Sequence, residues 1–359
     1  MEPFGCALFE LKLIQRRRRT RQNVVQIEKR VFRSRTFLDQ FTETQVIAKF
    51  RLSSPMIHSL YDEIHLALET RTRRSNAVPG LVRFLAVLHF LGKASYQHVS
   101  GEIVGISQPS FSRCLVEVLQ ALRQLAPKYI HMGKSREERD QIKRGFFDLA
   151  GMPNVIGAID CTHVPLCPPS EQEHIYRNRK AYHSLNIQVI CDSNLIIRDV
   201  VTGFPGSCHD AHILRQSGIY DTLDKDLENN GWLLGDAGYP CLPWLLTPIN
   251  RPSSPAEAAY NVAHTKTRVV IERCFGVLKS RFRCMSLSGG FLQYSPSKVA
   301  DMFLACSILH NIARHGGLQE ELDTTVEDDM PTIPVENDHR GNAARSKLIT
   351  NYFTGNKPP

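Results

Sequence analysis

Four acidic residues are singled out by their surroundings: Asp160 in VIGAIDCTHVPL, Asp210 in PGSCHDAHIL, Asp236 in GWLLGDAGYP and Glu272 in TKTRVVIERCFGVLKSRFR. Asp160 follows an apolar run, Val155 to Ile159, that reads as a buried strand, where an uncompensated carboxylate is costly. Asp236 ends a later apolar strand, and Glu272 lies on the helix that follows. Strand ends at one edge of a sheet can bring such acids together, and carboxylates held close raise one another's pKa. A divalent cation resolves that conflict: Mg²⁺ or Mn²⁺ takes carboxylate oxygens and completes its shell with water and phosphate oxygens. Two such ions about 4 Å apart activate a water and stabilise the leaving oxygen of a phosphodiester. No side chain stands out as a nucleophile, so the chemistry these residues suit is hydrolysis without a covalent enzyme intermediate.

Plainer readings compete at each position. On the Glu272 helix, Ile271, Phe275, Leu278 and Phe282 are spaced as a buried stripe, with Arg268, Glu272, Lys279 and Arg283 on a neighbouring face. One acid among bases suits a metal flanked by phosphates. An ordinary i,i+4 pair of Arg268 and Glu272 on a wet surface fits the same spacing. Asp210, taken alone, reads better as a first-turn acid in a helix capped by Ser207. A zinc set of Cys161, His163, Cys167, Cys208 and His209 matches none of the usual ligand spacings. Ser207 lacks the GxSxG elbow of a serine hydrolase.

The elements that must position these acids are an α/β succession. Residues 54–68, 78–91 and 137–150 carry apolar residues at helical spacing. Residues 94–122 have the outline of a helix-turn-helix: a helix to about Val104, a turn at Gly105-Ile106-Ser107, and a second helix with Phe111, Leu115, Val118 and Leu119 inward. Gln108, Ser110, Ser112 and Arg113 then face outward near its start, where DNA would be met, although two packed helices without a DNA role fit as well. After Gly151-Met152-Pro153 the pattern changes to strands at 155–159, 185–191 and 195–202, the last two joined by the turn signal Asp192-Ser193-Asn194. A helix, the strand before Asp236, a Pro-rich loop from Pro240 to Pro255, the long Glu272 helix and a last helix from Lys298 to His315 complete the unit.

The chain has 359 residues, a formal net charge of +8 and ten cysteines. The excess charge is concentrated: residues 1–50 hold eleven Lys and Arg against five acids, including the run Arg16 to Arg19 with Arg21. Such a run suits phosphates or nuclear import, or is a solvated tail. Scattered cysteines without a CxxC pair point to reduced thiols in an intracellular protein. The longest apolar stretch, near Phe84 to Leu91, is interrupted by His89 and far too short to span a bilayer, so no membrane segment is expected.

Five segments in order, IGAIDCTHV, FPGSCHDAHIL, WLLGDAGYP, YNVAHTKTRVVIERCFGVLKSRFR and ACSILHNIA, resemble the catalytic domain of the PIF/Harbinger transposases and of the transposase-derived nucleases that descend from them, within the DDE superfamily of endonucleases. The resemblance covers about residues 50–317. It implies an α/β fold, a ribonuclease-H-like DDE catalytic core preceded by a helical region. It implies a DNA-hydrolysing endonuclease using Mg²⁺ or Mn²⁺, with Asp160, Asp236 and Glu272 catalytic and Asp210 a fourth metal acid. Arg268, Lys279 and Arg283, with Gln108, Ser110 and Arg113, are the expected DNA contacts. A Myb/SANT-like DNA-binding partner, a homo-oligomeric state and a nuclear location shared with the cytoplasm belong to the same expectation. The competing expectation is a catalytically retired DNA-binding or adaptor protein on that scaffold, against which the intact Asp160, Asp236 and Glu272 weigh. The chain is thereby divided into a basic, poorly structured segment 1–50, a helical region 51–150, a catalytic domain 151–317 and an acidic, disordered tail 318–359.

Overall fold

The structure is a computed structural model that describes residues 34–35, 37–69, 76–225, 231–318 and 336–354. The Arg16 to Arg21 run and the acids from Glu320 to Asp329 lie outside the described residues. Contacts divide the chain into residues 1–34 and a unit of residues 35–359, and the second is described here.

The first half of this unit is helical: α1 (Glu43–Phe50), α2 (Ser54–Ile64), α3 (Gly80–Lys93), α4 (Gln97–Ile103), α5 (Gln108–Gln124), α6 (Ala126–Tyr129) and α7 (Arg136–Ala150). A capping box opens α1, with Thr42 Oγ1 accepting the Gln45 N–H and the Gln45 side chain accepting the Thr42 N–H. Residues 38–50 are therefore structured, contrary to the expectation for the N-terminal segment, because Leu38, Val46 and Phe50 reach the core. Almost every residue of α3 from Phe84 to Gly92 is buried, and the helix packs against α1, α4 and α5. An apolar surface on all sides has no other stable place. The α4–α5 pair follows the expected outline, with Val104 to Ser107 as the turn and Phe111, Leu115, Val118 and Leu119 buried.

The second half builds a five-stranded sheet from β1 (Val155–Pro165), β2 (Ser184–Cys191), β3 (Ile197–Pro205), β4 (Trp232–Leu234) and β5 (Leu245–Leu246). Its order is β3-β2-β1-β4-β5. β1, β2 and β3 are antiparallel neighbours, while β4 runs parallel to β1, and β5 parallel to β4. Short helices α8 (Glu173–Tyr176), α9 (Asp210–Arg215) and α10 (Gly218–Lys225) lie in the connections. The long helices α11 (Pro255–Arg281) and α12 (Pro296–His315) pack with α7 on one side of the sheet. That side shares one apolar core with α1 to α5, so the expected boundary near residue 150 is not a break in packing. A second core, with Ile159, Ile190, Leu214, Leu233, Tyr239 and Trp244, joins the strands to α9 and α10.

Three further expectations are corrected. β1 does not end at Asp160 but continues to Pro165, because Cys161 to Pro165 pair with Gln188 to Ser184 of β2. The buried stripe of α11 runs through Val270, Ile271, Cys274, Val277 and Leu278, leaving Phe275 only partly covered. Nor is the tail wholly unstructured: α13 (His339–Tyr352) buries Leu348 and Ile349 against the unit, each contributing roughly 1.5–3 kcal/mol of apolar burial. Asp338, read as part of an acidic tail, caps this helix by accepting the Arg340 N–H.

Candidate active site

The sheet register aligns two of the acids. Ala158 of β1 is level with Leu234 of parallel β4, so Asp160 and Asp236, each two residues further on, come level on one face of adjacent chain segments. Asp160 Oδ1 accepts the Cys161 N–H at 2.7 Å, and Asp236 Oδ1 accepts the Gly238 N–H at 2.9 Å in the turn that ends β4. Burial holds the Asp160 carboxyl well above the usual carboxylate range, and the charges of Asp236 and Asp210 push it further up.

Arg268 opposes that shift. Its Nη1 donates to Asp160 Oδ2 at 3.0 Å and its Nη2 donates to Glu272 Oε1, one helical turn along α11. Both Asp160 and Arg268 side chains are only 14 % exposed, so the pairing of Arg268 with Glu272 is part of a half-covered three-residue bridge rather than decoration of a wet surface. Arg268, one of the expected DNA contacts, thus stands among the acids themselves.

Asp210 is the first residue of α9, and His209 rather than Ser207 occupies the capping position. The Asn186 amide on β2 donates to Asp210 Oδ1 at 2.9 Å and to the Cys208 carbonyl at 3.0 Å, which fixes the start of the helix. Cys161 lies beside this acid, with its Sγ 3.3 Å from Tyr239 Oη. Burial first and the nearby carboxylates next push the Cys161 thiol and the Tyr239 phenol up, so both stay neutral hydrogen-bonding groups. Sequence reasoning missed Asn186 and Tyr239. The available signal was a polar residue, Asn186, in SLNIQVIC, a strand buried along its whole length.

The remaining candidates separate. Gln108, Ser112 and Arg113 are exposed near the start of α5, with Ser110 half-buried and its hydroxyl 3.1 Å from that of Ser107. Arg283 is exposed beyond the end of α11. Lys279 is only 8 % exposed, which corrects its expected place on a phosphate-facing surface: it sits near the end of α11, which packs on the 3-10 turn Arg283–Met285. Among the described residues, no three His, Cys, Asp or Glu side chains stand as a preassembled metal cage. Nor do the cysteines and histidines of the zinc alternative, already disfavoured by their spacing, form such a group, and the His163 ring nitrogen is bonded to Ser184 instead.

The donor set nevertheless fits a hard divalent cation. The charges of Asp210 and Asp236 both act on the buried Asp160 carboxyl, all three offer oxygen, and Mg²⁺ needs only one or two carboxylates beside water and phosphate. The cation that the protein itself supplies at this place is the Arg268 guanidinium.

A five-stranded mixed sheet, with Asp160 on a central strand, Asp236 just past its parallel neighbour and Glu272 on the packed helix, makes this an α/β protein with acids gathered at one sheet position. Residues 159–311 match the family described as DDE superfamily endonuclease. The rat protein named "Putative nuclease HARBI1" is 36 % identical over 327 residues, covering 88 % of this chain and 93 % of the rat protein. The human protein of that name is 38 % identical over 281 residues, covering 78 % and 80 %. An Arabidopsis thaliana protein named "Protein ALP1-like" is 29 % identical over 248 residues, covering 64 % of this chain and 59 % of its own. No solved structure matches. The chain belongs to the Harbinger transposase-derived family of DDE superfamily endonucleases.

Proposed function

We propose that this protein is a divalent-metal-dependent nuclease that hydrolyses DNA phosphodiester bonds, with Asp160, Asp236 and Glu272 as its catalytic acids and Asp210 beside them. The observation that carries the reading is the register that levels Asp160 with Asp236 while Arg268 ties Asp160 to Glu272. Bound among these acids, Mg²⁺ or Mn²⁺ would supply Lewis acidity and a lowered pKa for water. The chain's own part is positional. The Cys161 and Gly238 amides orient Asp160 and Asp236, Asn186 holds Asp210, and Arg268 offers a guanidinium suited to a phosphate oxygen.

The sheet order, three antiparallel strands followed by two parallel ones, supports a ribonuclease-H-like core. The exposed Gln108, Ser112 and Arg113 at the start of α5 support DNA contact by a helix-turn-helix. In this reading residues 51–150 are the DNA-facing helical part and 151–317 the catalytic part. Nuclear entry and a Myb/SANT-like partner for sequence recognition complete it.

Plasmid cleavage by the full chain tests the reading, with Mg²⁺ or Mn²⁺ and with EDTA. Cleavage is expected with metal, abolished by EDTA, and reduced at least about 10³-fold in Asp160→Asn and in Glu272→Gln, the equivalent of several kcal/mol of lost transition-state stabilisation. If both variants cut like the parent, the assignment fails. DNA binding by the parent without any cleavage supports the adaptor reading instead.

A further inference from the structure

Three helices bring their C-terminal ends to one place. α1 ends with Lys49 and Arg51, α3 ends with Lys93, and α11 leads into the 3-10 turn that begins at Arg283. α3 packs against both α1 and this turn. Arg51 Nε donates to the Gly92 carbonyl at 3.4 Å, and Arg281 Nη1 to the Arg51 carbonyl at 3.3 Å. A cation at a helix C-terminus is ordinary, because it meets the negative end of the dipole. Gathering the cations of three ends is different, since they repel. The Lys93 ammonium is lowered by burial and then by Arg51, Lys49 and Arg283, all of them cations. A polyanion relieves that repulsion.

The cluster is continuous with the strand that carries Asp160. Gly289 lies directly on Arg283 and Ala94: a Cβ there would stand 2.1 Å from the Arg283 carbonyl oxygen and 2.9 Å from Ala94 Cβ. Two residues on, Phe291 packs edge-on against Tyr182 at 6.4 Å, and Tyr182 against His163 of β1, also at 6.4 Å. Leu292 then donates its N–H to the carbonyl of Pro165, the last residue of β1. Phe291 is 45 % exposed, and Lys93 and Arg283 are exposed beyond it. The five residue steps from Asp160 to Pro165 span roughly 17 Å at strand rise, about half a turn of duplex.

We propose that Lys49, Arg51, Lys93 and Arg283 form a second basic surface that holds the phosphate backbone of duplex DNA flanking the cut, reached from Asp160 along β1 and past Phe291. The proposal rests on the nuclease reading and names where its substrate continues beyond the acids.

The test measures binding of a fluorescein-labelled duplex of random sequence to the full chain by anisotropy over a salt series. Removing Lys93 and Arg283 together, as Lys93→Ala with Arg283→Ala, should lower the slope of log affinity against log salt by about 2, close to 0.9 per lost phosphate contact, and weaken binding at least about tenfold near physiological salt. The charge-keeping pair Lys93→Arg with Arg283→Lys should retain the parent slope and shows that fold loss is not the cause. An unchanged slope in the double alanine variant overturns the proposal, as does a loss confined to anionic phosphatidylserine vesicles. Asp160→Asn separates the two claims: it should keep the slope while losing cleavage. If Asp160→Asn cuts like the parent, the nuclease reading falls, while the slope of the double variant still decides this surface.

Discussion

Two buried charges away from the site show opposite ways of handling a carboxylate. Asp192 is compensated: Arg198 donates to its Oδ2 through Nε at 2.9 Å and Nη2 at 2.7 Å, and the same guanidinium reaches Glu138 of α7. Asp192 Oδ1 meanwhile accepts the Asn194 and Ile196 N–H groups and shapes the β2–β3 turn. Arg198→Ala leaves that acid buried without its cation, and the urea midpoint should fall by the equivalent of about 3–5 kcal/mol. Asp199, the next residue, has a fully covered Oδ2 with no hydrogen-bond partner, and burial raises its carboxyl to about 6. An acid raised in the folded state contributes stability below its unfolded pKa and loses it as pH rises through the folded value. The cost is therefore complete above pH 6. Asp199→Asn should stabilise the protein at pH 8 by on the order of 2 kcal/mol and make little difference near pH 4, a contrast that thermal melts at the two pH values resolve.

Among the elements, α13 binds the Pro-rich connection that carries β5. Arg345 donates to the Thr247 and Pro248 carbonyls, and Phe353 packs edge-on against Tyr260 of α11. Gly341 makes the approach possible, since a Cβ there would stand 2.2 Å from the Cys241 carbonyl oxygen. Gly341→Val should cost about 1–3 kcal/mol, read as a lowered thermal midpoint with faster amide exchange in residues 241–249. Neither α13 nor β5 was legible in the sequence. β5 is two residues long and exists through register with β4, a non-local cause, and the acids before α13 masked its short apolar face. β2 and α12 were legible because burial of nearly continuous apolar runs leaves few alternatives, and β3 because the Asp192-Ser193-Asn194 turn announces a strand returning beside β2. At the site, the spacing of Arg268 and Glu272 announced their pairing. It could not announce Asp160 as the third member, which depends on how α11 crosses β1. Asn186 and Tyr239 were hidden for the same reason: their roles arise between elements, not along one.

For the whole molecule, the contact boundary falls just before Arg35, whose guanidinium bonds the Asn76 and Ala77 carbonyls. Deleting residues 1–34 should leave the thermal midpoint within about 2 °C of the parent, while flattening the salt dependence of DNA binding because the arginine run is gone. A fall much larger than that would place part of the core in the deleted segment. Chain order has a consequence of its own. Asp160 and Arg268 are separated by 108 residues. At ribosomal speeds of about 5–20 residues per second, the first acid emerges roughly 5–20 s before its guanidinium. A nascent chain stalled before Pro255 carries Asp160, Asp210 and Asp236 but neither Arg268 nor Glu272, which belong to α11. On the proposed chemistry such a fragment cannot cut. On that chemistry the helix that completes the site is made last, so every product of translation abandoned before it lacks the means to cleave.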